Sequence, residues 1–465
     1  MSTYISHIPF FNRAVIPDWQ LFVAGILFAL PVGALLLWNP VLGIAFGAIP
    51  FIVLLVCQGT TLVYLLIAST FVFYQLSQNL ALLPCDVFAL LLVAAYAIDL
   101  LIKGPVNRRN SIAGLYLVYL GIGMISLFLE GATGISIRYF LRQILLFLTF
   151  CAVAHFVPRI NIRNLLAVFI IVAVANSTLA LFDFLRAGGS IRAFGLAGLG
   201  FADHVMVGML ISAVFYICSG DLRARLFWGI SFLILVAALA ATQTRASVIT
   251  AGWALLIALY MAYKAGKRIR LTIPKRGLIA AVFLFVIIVP IVLFTTPIFE
   301  GVVHRFGRMG FQISGTILLR VILWKLGIAA FLQNPIFGIG PGHYAVIIQW
   351  VPQARFEPMY AWIKGMGPHV SFMTALTETG ILGFLALASL FGKTVHLAHS
   401  RLKDAVDRED LAVRLFLFVF AAAVLGSSLY AGAWLWGNNS YHMAVFFGCI
   451  AGYAGMPKSR PEGVN

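Results

Sequence analysis

Arginine and histidine carry most of the chemical potential of this sequence. Arg245 sits in ATQTRAS at a tight hairpin, and Arg142 lies inside a long apolar run. Neither place suits a side chain that merely snorkels to a headgroup, and an ionisable group at such depth marks a site by default. More cations (Arg305, Arg308, Arg320, Lys325, Arg355, Lys364) follow in one long polar segment. A guanidinium is a planar fork that binds phosphate through two parallel hydrogen bonds and keeps its charge. In a dry cleft such donors stabilise a departing diphosphate. Histidine supplies the partner chemistry, because an ordinary pKa of about 6.5 lets neutral imidazole take a hydroxyl proton. The acids on the same side (Asp86, Glu130, Glu300, Glu357, Glu378) form no DxD and no pair, so no cluster of oxygen ligands for a cation is in view. A phosphate clamp and a base allow single displacement at a glycosyl carbon bearing a diphosphate. Double displacement would need a placed carboxylate nucleophile, so inversion is favoured.

The elements that must hold these groups are membrane helices. Of the 465 residues, 62% are hydrophobic and only 10% charged, with a mean hydropathy of +1.01. Soluble domains carry about 25% charged residues. The composition excludes a soluble enzyme, a disordered chain and a nucleic-acid binder, despite a net charge of +17. A spanning helix needs about 20 apolar residues. Candidate spans lie near 20–38, 41–57, 61–78, 86–102, 112–129, 139–157, 164–184, 201–219, 226–242, 246–263, 278–296, 370–392, 413–432 and 440–456. The expectation is an all-α polytopic membrane protein with 12–14 transmembrane helices and one large outer loop containing short helices. Most of the 32 basic residues fall in alternate loops, which the positive-inside rule places in the cytoplasm together with both termini. The expected divisions are a bundle over 1–296, a loop subdomain over 297–368, further spans over 369–457 and a tail over 458–465.

Within the loop, ILLRVILWKLGIAAFLQN reads as an amphipathic helix with Arg320, Trp324 and Lys325 near its start. NPIFGIGPGHY then packs three glycines and two prolines into 11 residues. That is a rigid turn whose backbone approaches something closely. Loops this long in compact proteins are usually lids or binding elements.

His369 to Gly383, HVSFMTALTETGILG, resembles the His-plus-GxxG signature of the O-antigen ligase and polymerase superfamily. In that signature the Gly-x-x-Gly begins a transmembrane helix. Two further elements keep the family order: TQTRASVITAGW at 242–253 is similar to its T-x-S-R hairpin. LLRVILWKLGIAAFLQNPIFGIGPGHY at 318–344 is similar to its R-x-x-x-W…P-x-x-G-x-G element. Two departures are Val370 where Asn, Ser or Gln is usual, and Thr244 where Ser is common. The resemblance implies an undecaprenyl-diphosphate-linked glycan donor, a lipid A–core acceptor, no metal or other cofactor, and a reaction on the periplasmic face of the bacterial inner membrane. It implies that Arg245 and Arg320 bind the diphosphate and that His369 takes the acceptor's proton. Arg142 and Arg138 are further candidate phosphate ligands, and His343, Trp324 and Glu378 are secondary candidates.

The motifs do not separate a ligase from a polymerase, whose acceptor is another lipid-linked repeat. The compact aromatic outer loop and the apolar bulk beside it favour the ligase, with two amphiphilic substrates. A transporter or flippase of polyprenyl-linked glycans is the reading from another class. It should show buried charges midway along several spans, whereas here the charges crowd one face.

Overall fold

The computed structural model describes residues 58–72, 83–104, 111–189, 192–266, 315–349, 351–352, 367, 370–430, 435 and 439–454. The chain divides into two units, 1–58 and 59–465, and every element described here belongs to the second. The fold is all-α, with twelve α-helices and no strand among the described residues. They are α1 (Gly59–Ser69), α2 (Pro84–Lys103), α3 (Ser111–Glu130), α4 (Gly134–Phe156), α5 (Ile162–Arg186) and α6 (Phe201–Cys218). After these come α7 (Leu222–Ala241), α8 (Arg245–Gly266), α9 (Gly315–Gln333), α10 (Ser371–Arg401), α11 (Arg408–Ser427) and α12 (Asn439–Ala454).

Nine of the described helices, α2 to α8 with α10 and α11, are long and apolar enough to cross a membrane. Each coincides with an expected span. The spans expected near 20–38, 41–57 and 278–296 lie outside the described residues. The one expected over 61–78 is cut short, because α1 stops at Ser69. There the Ser69 and Thr70 hydroxyls bond back to Leu66 O and Ile67 O, each at 2.7 Å, offering the chain an alternative to the next helical turn. Side-chain caps start several helices. Thr133 accepts from Ser136 N at 3.2 Å before α4, and Asp221 from Ala224 N at 3.0 Å before α7. The Thr133 cap starts α4 five residues earlier than expected, which places Arg138 and Arg142 both within it.

Two helices form the centre. In α6 and α11, 83% and 78% of the span lies inside the protein, against 28% in α2. Around them α2, α3 and α7 turn Leu101, Phe128 and Leu233 outward, as a bilayer permits. Polar bonds stitch the interior. His204 of α6 meets Gly200 O and Thr70 O at 2.7 and 2.8 Å, and Thr70 Oγ1 meets His442 Nε2 of α12 at 2.7 Å. Small residues let helices meet backbone to backbone. On α12, a Cβ at Gly448 would lie 2.8 Å from Val153 Cβ and one at Gly452 would lie 2.6 Å from Val157 Cβ.

Alanine is the better helix former by about 1 kcal/mol, but forced overpacking costs about 1–3 kcal/mol. At Gly448 the second effect wins, while at Gly392 of α10 nothing lies within 4 Å. Gly448→Ala is therefore expected to lower the melting temperature of the detergent-solubilised protein, and Gly392→Ala to leave it unchanged or raise it. Equal melting temperatures for the two variants would show that this seam is not close-packed.

Candidate functional site

The site is organised by a break in α10. At Gly380 the backbone turns to φ 66°, ψ −166°, between two helical stretches. Only glycine adopts that conformation without strain. The break frees backbone groups that a buried segment must pair elsewhere. The glycine-rich turn after α9 pairs them. Thr377 O accepts from Ile339 N at 3.0 Å and Glu378 O from Gly340 N at 2.9 Å. Beyond the break, Ile381 N donates to Pro335 O at 2.9 Å and Leu382 N to Ile336 O at 3.4 Å. Ser126 Oγ of α3 adds a bond to Glu378 O at 3.0 Å.

Contact this close excludes side chains on both partners. A Cβ at Gly338 would lie 2.5 Å from Gly380 N, and one at Gly380 would lie 2.2 Å from Ile336 O. The sequence reading of NPIFGIGPGHY as a rigid turn whose backbone approaches something closely thus finds its partner. The partner is the GxxG of the His369–Gly383 motif. That GxxG does not start the helix, which begins nine residues earlier at Ser371; it starts the helix's second segment.

Side chains complete the junction. Glu378 is buried, with its carboxylate accepting from Tyr344 N at 3.3 Å and from Gly342 N. Tyr344 is buried too, and its hydroxyl donates to Leu323 O of α9. Burial, with the Glu378 carboxylate as the next cause, pushes the Tyr344 phenol well above its usual pKa. Ile322, Leu323, Leu326 and Ala330 of α9 form one apolar cluster with Ile339, Tyr344 and Ile347. His343 is fully buried, and Nδ1 donates to Ile339 O at 2.6 Å, because a carbonyl can only accept.

One face of α9 carries Arg320 and Trp324, one helical turn apart. Arg320 is part-buried, burial lowers its pKa, and among the described residues no carboxylate pairs with it. The Trp324 indole N–H is buried with no acceptor among the described residues. Two donors on one face have no acceptor among the described residues.

Arg142 differs. Its guanidinium forks onto Asp86, Nε to Oδ1 at 3.2 Å and Nη2 to Oδ2 at 2.5 Å. Tyr441 Oη and Leu83 N also donate to Asp86, at 2.6 and 2.8 Å. The charge of Arg142 is thus compensated within the bundle. Sequence reasoning placed Asp86 among the scattered acids and did not join it to Arg142, since 56 residues separate them. Arg138, at the exposed start of α4, donates from Nε to Gly134 O at 3.2 Å. His369 and the side chain of Arg245 lie outside the described residues. The hairpin before Arg245 is described: Gln243 takes a left-handed φ of 54°, and Ser247 Oγ donates to Asp203 at 2.8 Å. Among the described residues no three His, Cys, Asp or Glu side chains are grouped to hold a metal ion.

The hairpin, α9 with its turn, and the break of α10 at Gly380 all fall between residues 230 and 388, the stretch that matches the protein family model described as O-antigen ligase. This match supports membership of the O-antigen ligase superfamily. No match was found among curated proteins. Members of this superfamily are ligases and polymerases, enzymes that act on lipid-linked glycans, and the bilayer-spanning helices agree with such substrates. Arg138 and Arg142 lie outside the matched stretch, while Arg245, Arg320, His369 and Glu378 lie within it.

The interlock of Gly338 with Gly380 leaves no room for a Cβ on either residue. Alanine at Gly380 would combine a left-handed backbone with a carbonyl 2.2 Å from its Cβ. Gly380→Ala is expected to cost more than the roughly 1–3 kcal/mol of simple strain, read as a fall in melting temperature and faster proteolysis after residue 333. A variant as stable and protease-resistant as the parent would mean that the break is not required.

Proposed function

We propose that the protein is an O-antigen ligase. It moves a polysaccharide from undecaprenyl diphosphate to a sugar of lipid A–core, without a metal and with inversion, on the periplasmic face of the inner membrane. The observation that carries this reading is the α9 face. Arg320 and the Trp324 N–H are two donors without acceptors among the described residues, held on the helix that locks onto the α10 break, inside the matched stretch. Such a pair, in a partly desolvated place, suits an anion that arrives and leaves.

The step is a single displacement. The acceptor hydroxyl oxygen bonds to the anomeric carbon as the bond from that carbon to the phosphate oxygen breaks. Undecaprenyl diphosphate departs with the electron pair, its growing charge met by Arg320 and Arg245. His369 takes the hydroxyl proton. Arg142 and Arg138 are further phosphate ligands in this scheme, and Arg142 would share its fork with Asp86. The loop over 297–368 is taken as the periplasmic subdomain, with both termini in the cytoplasm.

Deleting the gene in its host and resolving the lipopolysaccharide, with undecaprenyl-linked glycan measured alongside, tests the reading. Loss of long chains from lipid A–core with polymer building up on the lipid carrier is the ligase result. Single repeat units still attached to the core would make the protein a polymerase instead. His369→Ala is expected to abolish transfer at normal membrane level, and full activity would remove it as the base. Arg320→Lys, which keeps the charge and loses the fork, is expected to be severely impaired; near-normal turnover would show that charge alone suffices. Transfer should survive EDTA, and a loss that magnesium restores would overturn the metal-free scheme.

A further inference from the structure

Residue 378 is the point where three elements meet. Its main-chain oxygen takes Gly340 N of the turn and Ser126 Oγ of α3. Its side chain takes Gly342 N and Tyr344 N. No lysine or arginine among the described residues is ion-paired with it, so a buried carboxylate is held by backbone donors alone, a costly arrangement unless those bonds are needed.

The turn explains the need. Gly340 and Gly342 both adopt left-handed φ, 96° and 76°. They lie either side of Pro341, which has no N–H, so no regular ladder serves the N–H groups of Gly342 and Tyr344. Those groups face the protein interior, and leaving them unpaired costs about 1–3 kcal/mol each. The glutamate side chain offers these two groups acceptor oxygens.

From Tyr344 the connection runs on to α9. The Tyr344 hydroxyl donates to Leu323 O, and Tyr344 shares one buried apolar cluster with Ile322 and Leu326. Leu323 is three residues from Arg320 and one from Trp324.

We propose that Glu378 is a positioning residue for glycan transfer: through Gly342 and Tyr344 it fixes the turn over the helix break, and so sets where α9 presents Arg320 and Trp324. The role rests on the transfer reading above. It is distinct from proton transfer, since the carboxylate faces backbone donors and not the anion-facing side of α9.

Three variants and two readouts test it. Amide hydrogen exchange of the segment 338–347 needs no substrate and reports the turn directly. Glu378→Ala is expected to speed that exchange at least about tenfold, with α11 unchanged. Glu378→Gln keeps one acceptor oxygen and is expected to fall between Ala and the parent; it remains usable if the Ala variant does not accumulate. In transfer assays with lipid-linked glycan, kcat should fall in the same order while the donor KM changes little. Tyr344→Phe should also lower kcat, and combining it with Glu378→Gln should cost less than the product of the two effects, as expected of residues acting in series.

Unchanged exchange in Glu378→Ala overturns the proposal, as does parental kcat in a variant whose turn has loosened. Gln as inactive as Ala, with parental exchange, would mark Glu378 as a proton carrier and also overturn it. A parent protein that transfers no lipid-linked glycan overturns the transfer reading, whatever the exchange rates show.

Discussion

A helix that stops and restarts inside a bundle leaves backbone donors and acceptors where no water can reach them. Around Gly380 two carbonyls and two N–H groups are displaced in this way, and each has a partner in residues 335–340. At about 1–3 kcal/mol for each group left unpaired, the break without its turn would consume much of the stability of an ordinary domain. The turn and the break therefore exist only together. Each also dictates the composition of the other, since the backbones approach so closely that Gly338 and Gly380 have no room for a Cβ.

That constraint propagates outward. Pro335 can accept from Ile381 N because only its carbonyl is needed there, so its missing N–H is no loss. Tyr344 is pulled against Leu323, which seats α9, and the apolar cluster of Ile322, Leu326 and Ile339 follows from that contact. The second buried polar centre, Asp86 with Arg142 and Tyr441, is different in kind. It joins α2, α4 and α12 with compensated charge, and breaking one partner would strand a charge. One junction shapes a face with spare donors; the other ties the bundle.

Hydropathy made the spans legible because lipid demands long apolar runs whatever their neighbours. The nine membrane-length helices were visible for that reason, and the ends that moved did so for local causes: the Thr133 cap before α4 and the Ser69 and Thr70 hydroxyls after α1. The glycine-rich turn was legible as a close approach, since Gly-x-Gly-Pro-Gly has few other uses. What it approaches was not, because Gly338 and Gly380 are 42 residues apart and nothing local in either names the other. Asp86 and Arg142 were hidden for the same reason. The break itself was obscured by the long apolar run that continues past it, so TALTETGILGF reads as one helix unless the φ of Gly380 is known.

Rigidity at this junction has a consequence for chemistry. Donors that stabilise a leaving diphosphate contribute most when they do not have to reorganise as charge develops. Arg320 stands on a long flexible stem, and so does any arginine. What can be fixed is its helix, and α9 is fixed at one end by a cluster built on Tyr344 and Ile339, residues that are themselves bonded to the α10 break. Arg142 is fixed another way, by an acid that spends part of its charge. An uncompensated cation on a pinned helix is costly to keep without a ligand and strong when one arrives. A compensated cation is the reverse. The described residues contain both, and the cation uncompensated among them lies in the stretch that matches the family model.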